Sequence, residues 1–319
     1  MYSVIVTGGA GFLGSHLIDA LMLRKANVKV VDNLSRGRLE NIKPHLRKSN
    51  FSFLPYDLLN KEDMIKAVED CSTVFHLAAN PEVWTSSVNP ELHFTQNIVT
   101  TFNILEAIRR SHVAELLVFT SSSTVYGEAA TIPTHEGVPP KPISVYGASK
   151  LACEALTTAY AYTYGFKAII YRLANIVGPR LRHGVIYDFI MKLKNNTTEL
   201  EILGDGNQTK SYLYVTDCVS AMLQGLEGAK EQVEVFNIGS EDCINVKRIA
   251  EIVIDEMGLK RIKLKFTGGV NGGRGWKGDI KYMQLDISKL KSLGWKPIYK
   301  SEEAVRLTTR ILLRELAET

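Results

Sequence analysis

Tyr146 and Lys150 stand four positions apart in Tyr146-Gly-Ala-Ser-Lys150. On a helix, residues at i and i+4 share a face, so a phenol and an ammonium point into the same space. A free phenol, with a pKa of about 10, is a poor base at neutral pH. A neighbouring ammonium favours the phenolate and draws that pKa toward the working range. The run Ser121-Ser122-Ser123-Thr124 offers hydroxyls that can hydrogen-bond a reacting oxygen. Near the start, Gly8, Gly9, Gly11 and Gly14 fit both G-x-G-x-x-G and G-x-x-G-x-x-G. Glycine takes φ > 0 in a tight turn, and a missing Cβ lets a pyrophosphate approach the backbone at a helix N-terminus. Taken singly, the tyrosine–lysine pair also fits two unrelated residues on an amphipathic helix, and the glycine run a structural turn. Together they describe proton transfer beside a bound dinucleotide.

Particular elements must surround these residues. Residues 3–6 read as a short apolar strand, and Phe12, Leu13, Leu17, Ile18 and Leu21 open a helical period. A second strand over 26–31 ends in Asp32. A carboxylate there accepts both ribose hydroxyls of NAD and repels the 2′-phosphate of NADP. Further strands are expected at 51–54, 73–79, 116–119 and 168–173, and helices at 61–70, 91–110 and 145–164. Alternating strands and helices imply a parallel sheet wound on both faces, with ligands at the carboxyl ends of the strands. Asp57, Ala78, Ala79, Ser121 to Thr124 and Asn175 fall at such ends. After Gly178-Pro179 the rhythm changes. Helices are expected at 183–195, 246–257 and 301–316, strands at 200–203, 212–215 and 233–238, and a glycine-rich loop over 268–278. The expected fold is α/β: a Rossmann-like doubly wound parallel sheet over 1–174, to which 208–245 crosses back, and a smaller mixed α/β substrate-binding lobe within 175–319.

The 319 residues suffice for one large or two modest domains. A hydrophobic share of 45% and a charged share of 23% are ordinary for a globular chain. The net charge of +4 comes without a block of like charges, so no nucleic-acid partner is expected. Cys71, Cys153, Cys218 and Cys243 are scattered, which fits a reducing cytoplasm and gives neither a disulfide framework nor a zinc site. His76 and His183 lack metal-ligand spacing, and His76 is expected to pack inside its strand. No leader and no membrane span are expected, because the chain opens directly in a strand and holds no long apolar run.

An ordered series of motifs runs through essentially the whole chain: Thr7 to His16, Val31-Asp-Asn-Leu34, His76 to Ala79, Asn97, Ser121 to Gly127, Tyr146 to Lys150, Arg172 to Asn175 with Gly178-Pro179, Gly204-Asp-Gly206, Tyr214 to Asp217, and Gly278-Asp279. In these the chain resembles an extended short-chain dehydrogenase/reductase of the NAD-dependent sugar-nucleotide epimerase and dehydratase branch. Within that branch it is most similar to UDP-glucose 4-epimerases of a short archaeal type.

The resemblance implies roles. Tyr146 is similar to the general base for the sugar 4-hydroxyl, Lys150 to the residue that tunes it and holds the cofactor ribose, and Ser122 to the hydroxyl partner of the substrate oxygen. Ser123 and Thr124 compete with Ser122 for that part. The implied NAD contacts are Gly8, Gly11, Phe12, Leu13, Gly14, Asp32, Asn33, Ser35, Asp57, Leu58, Leu77, Ala78, Ala79, Asn97 and Ser121, with Tyr146 and Lys150. Asn175 is implied at the substrate diphosphate. Two positions depart from the family pattern. Lys210 stands where arginine is usual, and it lacks the bidentate fork. In Arg274-Gly-Trp-Lys-Gly278-Asp279, the arginine is two places further from the Gly-Asp pair than usual. Arg274 is still expected as a second diphosphate contact.

The implied reaction is oxidation of the sugar at C4 by NAD, turnover of the 4-keto sugar in the cleft, and hydride return to its opposite face. A 4,6-dehydratase carries Asp-Glu where Ser123-Thr124 stand, and a decarboxylase carries Glu at Thr124, so both are disfavoured. UDP-glucuronate and UDP-N-acetylhexosamine 4-epimerases stay open, with Arg182 or His183 as candidate partners for a C6 carboxylate. A non-catalytic nucleotide-sensing module is disfavoured because Tyr146 and Lys150 are both present. Arg36 and Arg38, close behind Asp32, keep NADP open beside NAD. In relatives, helices matching 91–110 and 145–164 form a four-helix interface, so a homodimer is expected.

Overall fold

The structure is a computed structural model and describes residues 3–317. The first half supplies β1 (Ser3–Thr7), β2 (Asn27–Val31), β3 (Phe51–Leu54), β4 (Thr73–His76), β5 (Leu116–Ser122) and β6 (Lys167–Leu173). Four short strands follow: β7 (Asn175–Val177), β8 (Glu199–Ile202), β9 (Thr209–Lys210) and β10 (Tyr212–Tyr214). Then β11 (Val233–Ile238) returns to the large sheet, whose order is β11-β6-β5-β4-β1-β2-β3. Every pairing in it is parallel.

Period-two alternation explains the two covered faces. Val4, Val6, Phe75 and Val118 point to one face, where α1 (Phe12–Leu23) and α7 (Val215–Gly228) bring Leu17, Ile18, Cys218 and Met222. Ile5, Val74 and Leu117 point to the other face. There α2 (Lys61–Val68), α4 (Thr100–Arg110) and α5 (Val145–Tyr164) bring Met64, Ile104, Ile108 and Ala161. Between α2 and α4 lies the short α3 (Pro90–His93). The smaller lobe packs α6 (Gly184–Asn195), α8 (Val246–Glu256) and α10 (Ser301–Glu315) through Phe189, Ile190, Ile252, Val305 and Leu312. Its remaining pieces are β12 (Ile244–Asn245), β13 (Lys263–Phe266), β14 (Tyr282–Met283) and α9 (Ser288–Ser292).

Some elements differ from the sequence reading. The strand expected over 73–79 stops at His76, and the one expected over 116–119 runs on to Ser122. The helix expected over 91–110 is interrupted by a π-helical turn, Phe94–Val99, between α3 and α4. Carbonyls of that turn are taken by side chains: Thr100 donates to the Gln96 oxygen and Thr101 to the Asn97 oxygen, each at 2.7 Å. The strand expected over 212–215 stops at Tyr214, and α7 begins at once. Among the described residues, no helix is long and apolar enough to cross a membrane.

Candidate active site

The carboxyl ends of the large sheet and the facing edge of the smaller lobe enclose a cavity of about 670 Å³. At one end lies the glycine turn. Gly8 has φ of +68°, and a Cβ there would lie 2.8 Å from the Ala78 backbone. A Cβ on Gly14 would run into the Gly8 carbonyl. Helix α1 starts after Gly11 with no side-chain cap and no acid in its first turn. Its first amides therefore remain for an anion, in the field of the helix dipole. Past the turn, Asp32 is buried, and its carboxylate accepts from the Ala10 amide at 3.0 Å and the Leu34 amide at 2.8 Å. Burial raises its pKa. Asn33 donates to Asp57 at 3.0 Å and accepts from the Ser35 amide. An uncapped helix start, glycines without Cβ and an acid at the end of β2 fit a dinucleotide.

The chemistry-bearing residues meet where α5 crosses the end of β5. Ser144 caps α5 by accepting from the Gly147 amide at 3.1 Å, which sets Tyr146 and Lys150 in its first turns. Ser122 stands beside the Tyr146 phenol and acts to lower its pKa. Ser122 Oγ accepts from the Thr124 hydroxyl at 2.9 Å and from the Thr124 amide at 3.2 Å. Both of its lone pairs are thus occupied, and its own proton is left to donate. Lys150 Nζ donates to the Thr120 carbonyl at 2.9 Å and lies 5.0 Å from the Phe119 ring centroid.

Burial pushes the Tyr146 phenol up to about 12, with neighbouring Ser122 opposing it. This differs from the expectation that the lysine would dominate. The ammonium is turned to a backbone carbonyl, and desolvation of the phenolate prevails. Burial likewise brings Lys150 down to about 8. His76 is buried between Thr7 Oγ1 at 2.7 Å and Thr101 Oγ1 at 3.0 Å, and burial lowers it to about 3. It packs in its strand, and among the described residues no group of His, Cys, Asp and Glu could hold a metal ion.

Every cofactor and substrate position expected from the sequence lines this cavity except Asn97 and Arg274. Asn97 is buried beneath the wall, accepting from the Asn80 amide and donating to Ser149 Oγ, each at 2.9 Å. Arg274 turns outward to Glu128 at 2.7 Å. Lys210 does face the cavity, held by Asp279 at 2.6 Å and lying 5.6 Å from the Trp276 ring. Asn175 donates to the Ser211 carbonyl at 3.2 Å. Sequence reasoning gave no role to Trp276, Arg180, Glu82 and Trp84; Arg36, weighed there for NADP, pairs at the rim with Glu82 at 3.2 Å, and Glu82 accepts from Trp84 Nε1 at 3.1 Å. Trp276 lay in the glycine-rich loop already singled out. The rim cluster joins distant segments and left no local signal.

A Rossmann-like sheet carrying this turn and this tyrosine–lysine–serine cluster defines a dinucleotide-dependent short-chain dehydrogenase/reductase. The family described as GDP-mannose 4,6 dehydratase matches residues 5–308, and the chain belongs to that extended family. A Methanocaldococcus jannaschii chain with the provisional name UDP-glucose 4-epimerase is 34% identical over 307 residues, covering 95% of this chain and 96% of its own. The crystal structure of a UDP-galactose 4-epimerase aligns with a TM-score of 0.87 at 45% identity, over 98% of this chain and 99% of that one. A Bacillus cereus UDP-glucuronic acid 4-epimerase, solved with UDP-glucuronic acid and NAD, aligns with a TM-score of 0.88 at 30% identity, over 98% and 99% of the two chains.

Proposed function

We propose that the chain is an NAD-dependent nucleotide-sugar 4-epimerase that interconverts UDP-glucose and UDP-galactose. The observation that carries this reading is that Ser122, Tyr146 and Lys150 line one cavity with the uncapped start of α1. Bound NAD supplies a reversible hydride acceptor for the sugar C4. Tyr146 removes the proton of the 4-hydroxyl and returns it after the sugar has turned over. Ser122, its lone pairs filled by Thr124, donates to the same oxygen and stabilises the charge developing there. Lys150, protonated below about pH 8, holds the cofactor ribose. Asn175 and Lys210 keep the diphosphate in place while the sugar moves. Residues 1–174 with 208–245 then form the cofactor domain, and the rest of 175–319 the nucleotide-sugar lobe; β11 lying beside β6 supports that division.

Dehydration has no support, because Ser123 and Thr124 put hydroxyls where an acid and a base are needed. A glucuronate substrate is the second reading: Arg182 and His183 both line the cavity, Arg182 paired with Glu315 at 2.7 Å and His183 with its pKa lowered by burial. The four cysteines are free, three of them buried, which supports a reducing cytoplasm. Phe94, Phe102, Tyr162 and Tyr164 leave apolar surface exposed along the π turn, α4 and α5, which supports a homodimer through these helices. Light scattering should give twice the chain mass of 35.5 kDa; the chain mass itself would contradict the dimer.

The test is turnover of UDP-glucose, UDP-galactose, their N-acetyl forms and UDP-glucuronate, without added reductant. Interconversion of the first two, with the purified protein retaining NAD, is expected. Turnover of UDP-glucuronate alone would overturn the substrate assignment.

A further inference from the structure

Tyr146, Lys150 and Glu154 are spaced one turn apart on α5, and all three meet the last residues of β5. Tyr146 faces Ser122, Lys150 donates to the Thr120 carbonyl, and Glu154 accepts from the Ser121 hydroxyl. Glu154 is also the bidentate partner of Arg172 on β6, with Arg172 Nη2 at 2.7 Å and Nε at 3.1 and 3.2 Å. Both side chains of the pair are buried, at 6% and 7% exposure. Arg172 reaches further, donating to Tyr126 at 2.9 Å, and Tyr126 donates to Asn237 on β11 at 2.8 Å. One carboxylate thus ties α5, β5 and β6 together one residue away from Ser122.

Stability does not account for this pair. Replacing a buried ion pair by apolar residues is often neutral or stabilising, because two charges must be desolvated. What a bidentate arginine–carboxylate pair provides is a defined orientation. On the epimerase reading given above, we propose that Glu154, with Arg172, is a positioning residue that fixes the end of β5 against α5 and so sets the Ser122 hydroxyl in register with the Tyr146 phenol. The same carboxylate bears on Lys150. The groups facing that ammonium are Tyr146, Cys153 and Glu154 on its own helix, Phe119 and the Thr120 carbonyl on β5, His76 on β4 and His93 on α3. His76 is neutral, and Glu154 favours the charged lysine against its burial.

Two variants separate orientation from charge. Ser121→Ala removes the tie from β5 and leaves the ion pair. It is expected to lower kcat by about tenfold or more, since small misplacements of reacting groups are costly. Its KM should stay within about twofold, its bound NAD at the wild-type level and its alkaline limb in place; a loss of bound NAD would assign the kcat loss to the cofactor contact of Ser121 and overturn the positioning role. Glu154→Gln keeps an acceptor oxygen for Ser121 but removes the charge and leaves Arg172 unpaired. It is expected to lower kcat and to move the alkaline limb of its pH profile to lower pH. Should Glu154→Gln fail to fold, Ser121→Ala carries the test alone. Wild-type kcat in Ser121→Ala, or a loss of kcat that merely follows the loss of folded protein in thermal melts, overturns the positioning role. An inactive wild type on every UDP-hexose overturns the functional reading instead.

Discussion

The Thr124 hydroxyl donates to Ser122 Oγ at 2.9 Å, and the Thr124 amide donates to the same atom at 3.2 Å. On the function proposed above, this arrangement favours Ser122 among the three neighbouring hydroxyls as the donor toward the reacting oxygen, with Thr124 orienting it. Ser122→Ala is expected to lower kcat by about 10²-fold or more, the scale of losing one donor to a developing oxyanion. Thr124→Val should cost less, and Ser123→Ala least. Steady-state kinetics on the three variants checks the order; a larger loss in Ser123→Ala than in Ser122→Ala would reassign the hydroxyl.

Lys210 and Arg274 are expected to separate. Lys210 faces the cavity beside Asp279, whereas Arg274 is turned outward to Glu128. Lys210→Met should weaken UDP binding by about tenfold, the scale of one hydrogen bond to a charged group. Arg274→Ala should leave it within about twofold. Calorimetric titration with UDP reads both values.

His76 makes stability depend on pH. Its folded pKa is lowered to about 3 from the ordinary 6.5, so it stays neutral between Thr7 and Thr101. Below pH 6.5 the unfolded chain takes up a proton that the folded chain refuses. The stability this group contributes is therefore complete above pH 6.5 and is lost as pH falls toward 3, at about 1.4 kcal/mol per unit. Urea unfolding at pH 7 and pH 5 should show a loss about 2 kcal/mol larger in the wild type than in His76→Asn. Equal losses would place the histidine in a wetter site.

Lys150 is a buried cation, lowered to about 8 from 10.5. The folded state binds fewer protons than the unfolded one between these values, so its destabilising effect is full below pH 8 and fades as pH rises toward 10.5. Lys150→Met is expected to stabilise the cofactor-free protein at pH 7 by about 1–3 kcal/mol and to abolish most of kcat. Melting curves from pH 7 to pH 10 should show the gap closing. A variant less stable than the wild type at pH 7 would contradict this.

The parts of the site that were legible in the sequence are those written locally. The glycine turn needs particular backbone angles and missing Cβ atoms, and these demands fall on Gly8 and Gly14 themselves. Tyr146 and Lys150 are set by helical spacing alone. What was not legible depends on distant partners. The π turn at Phe94–Val99 changes the backbone hydrogen-bond register without a change of residue type, and apolar periodicity does not record this. Arg274 leaves the cavity because Glu128 is there to receive it. Asn97 lies behind the wall because Asn80 and Ser149 converge on it. The Glu154–Arg172 pair joins a helix to a strand and carries no spacing signature.

Replacement of Tyr146 by phenylalanine tests the central claim most directly, because it removes one oxygen and leaves the ring packed against His93. UDP-glucose to UDP-galactose turnover should fall by about 10²–10⁴-fold, the range of positioned acid–base catalysis, with bound NAD and UDP affinity unchanged. A Tyr146→Phe enzyme that epimerises at the wild-type rate would contradict it.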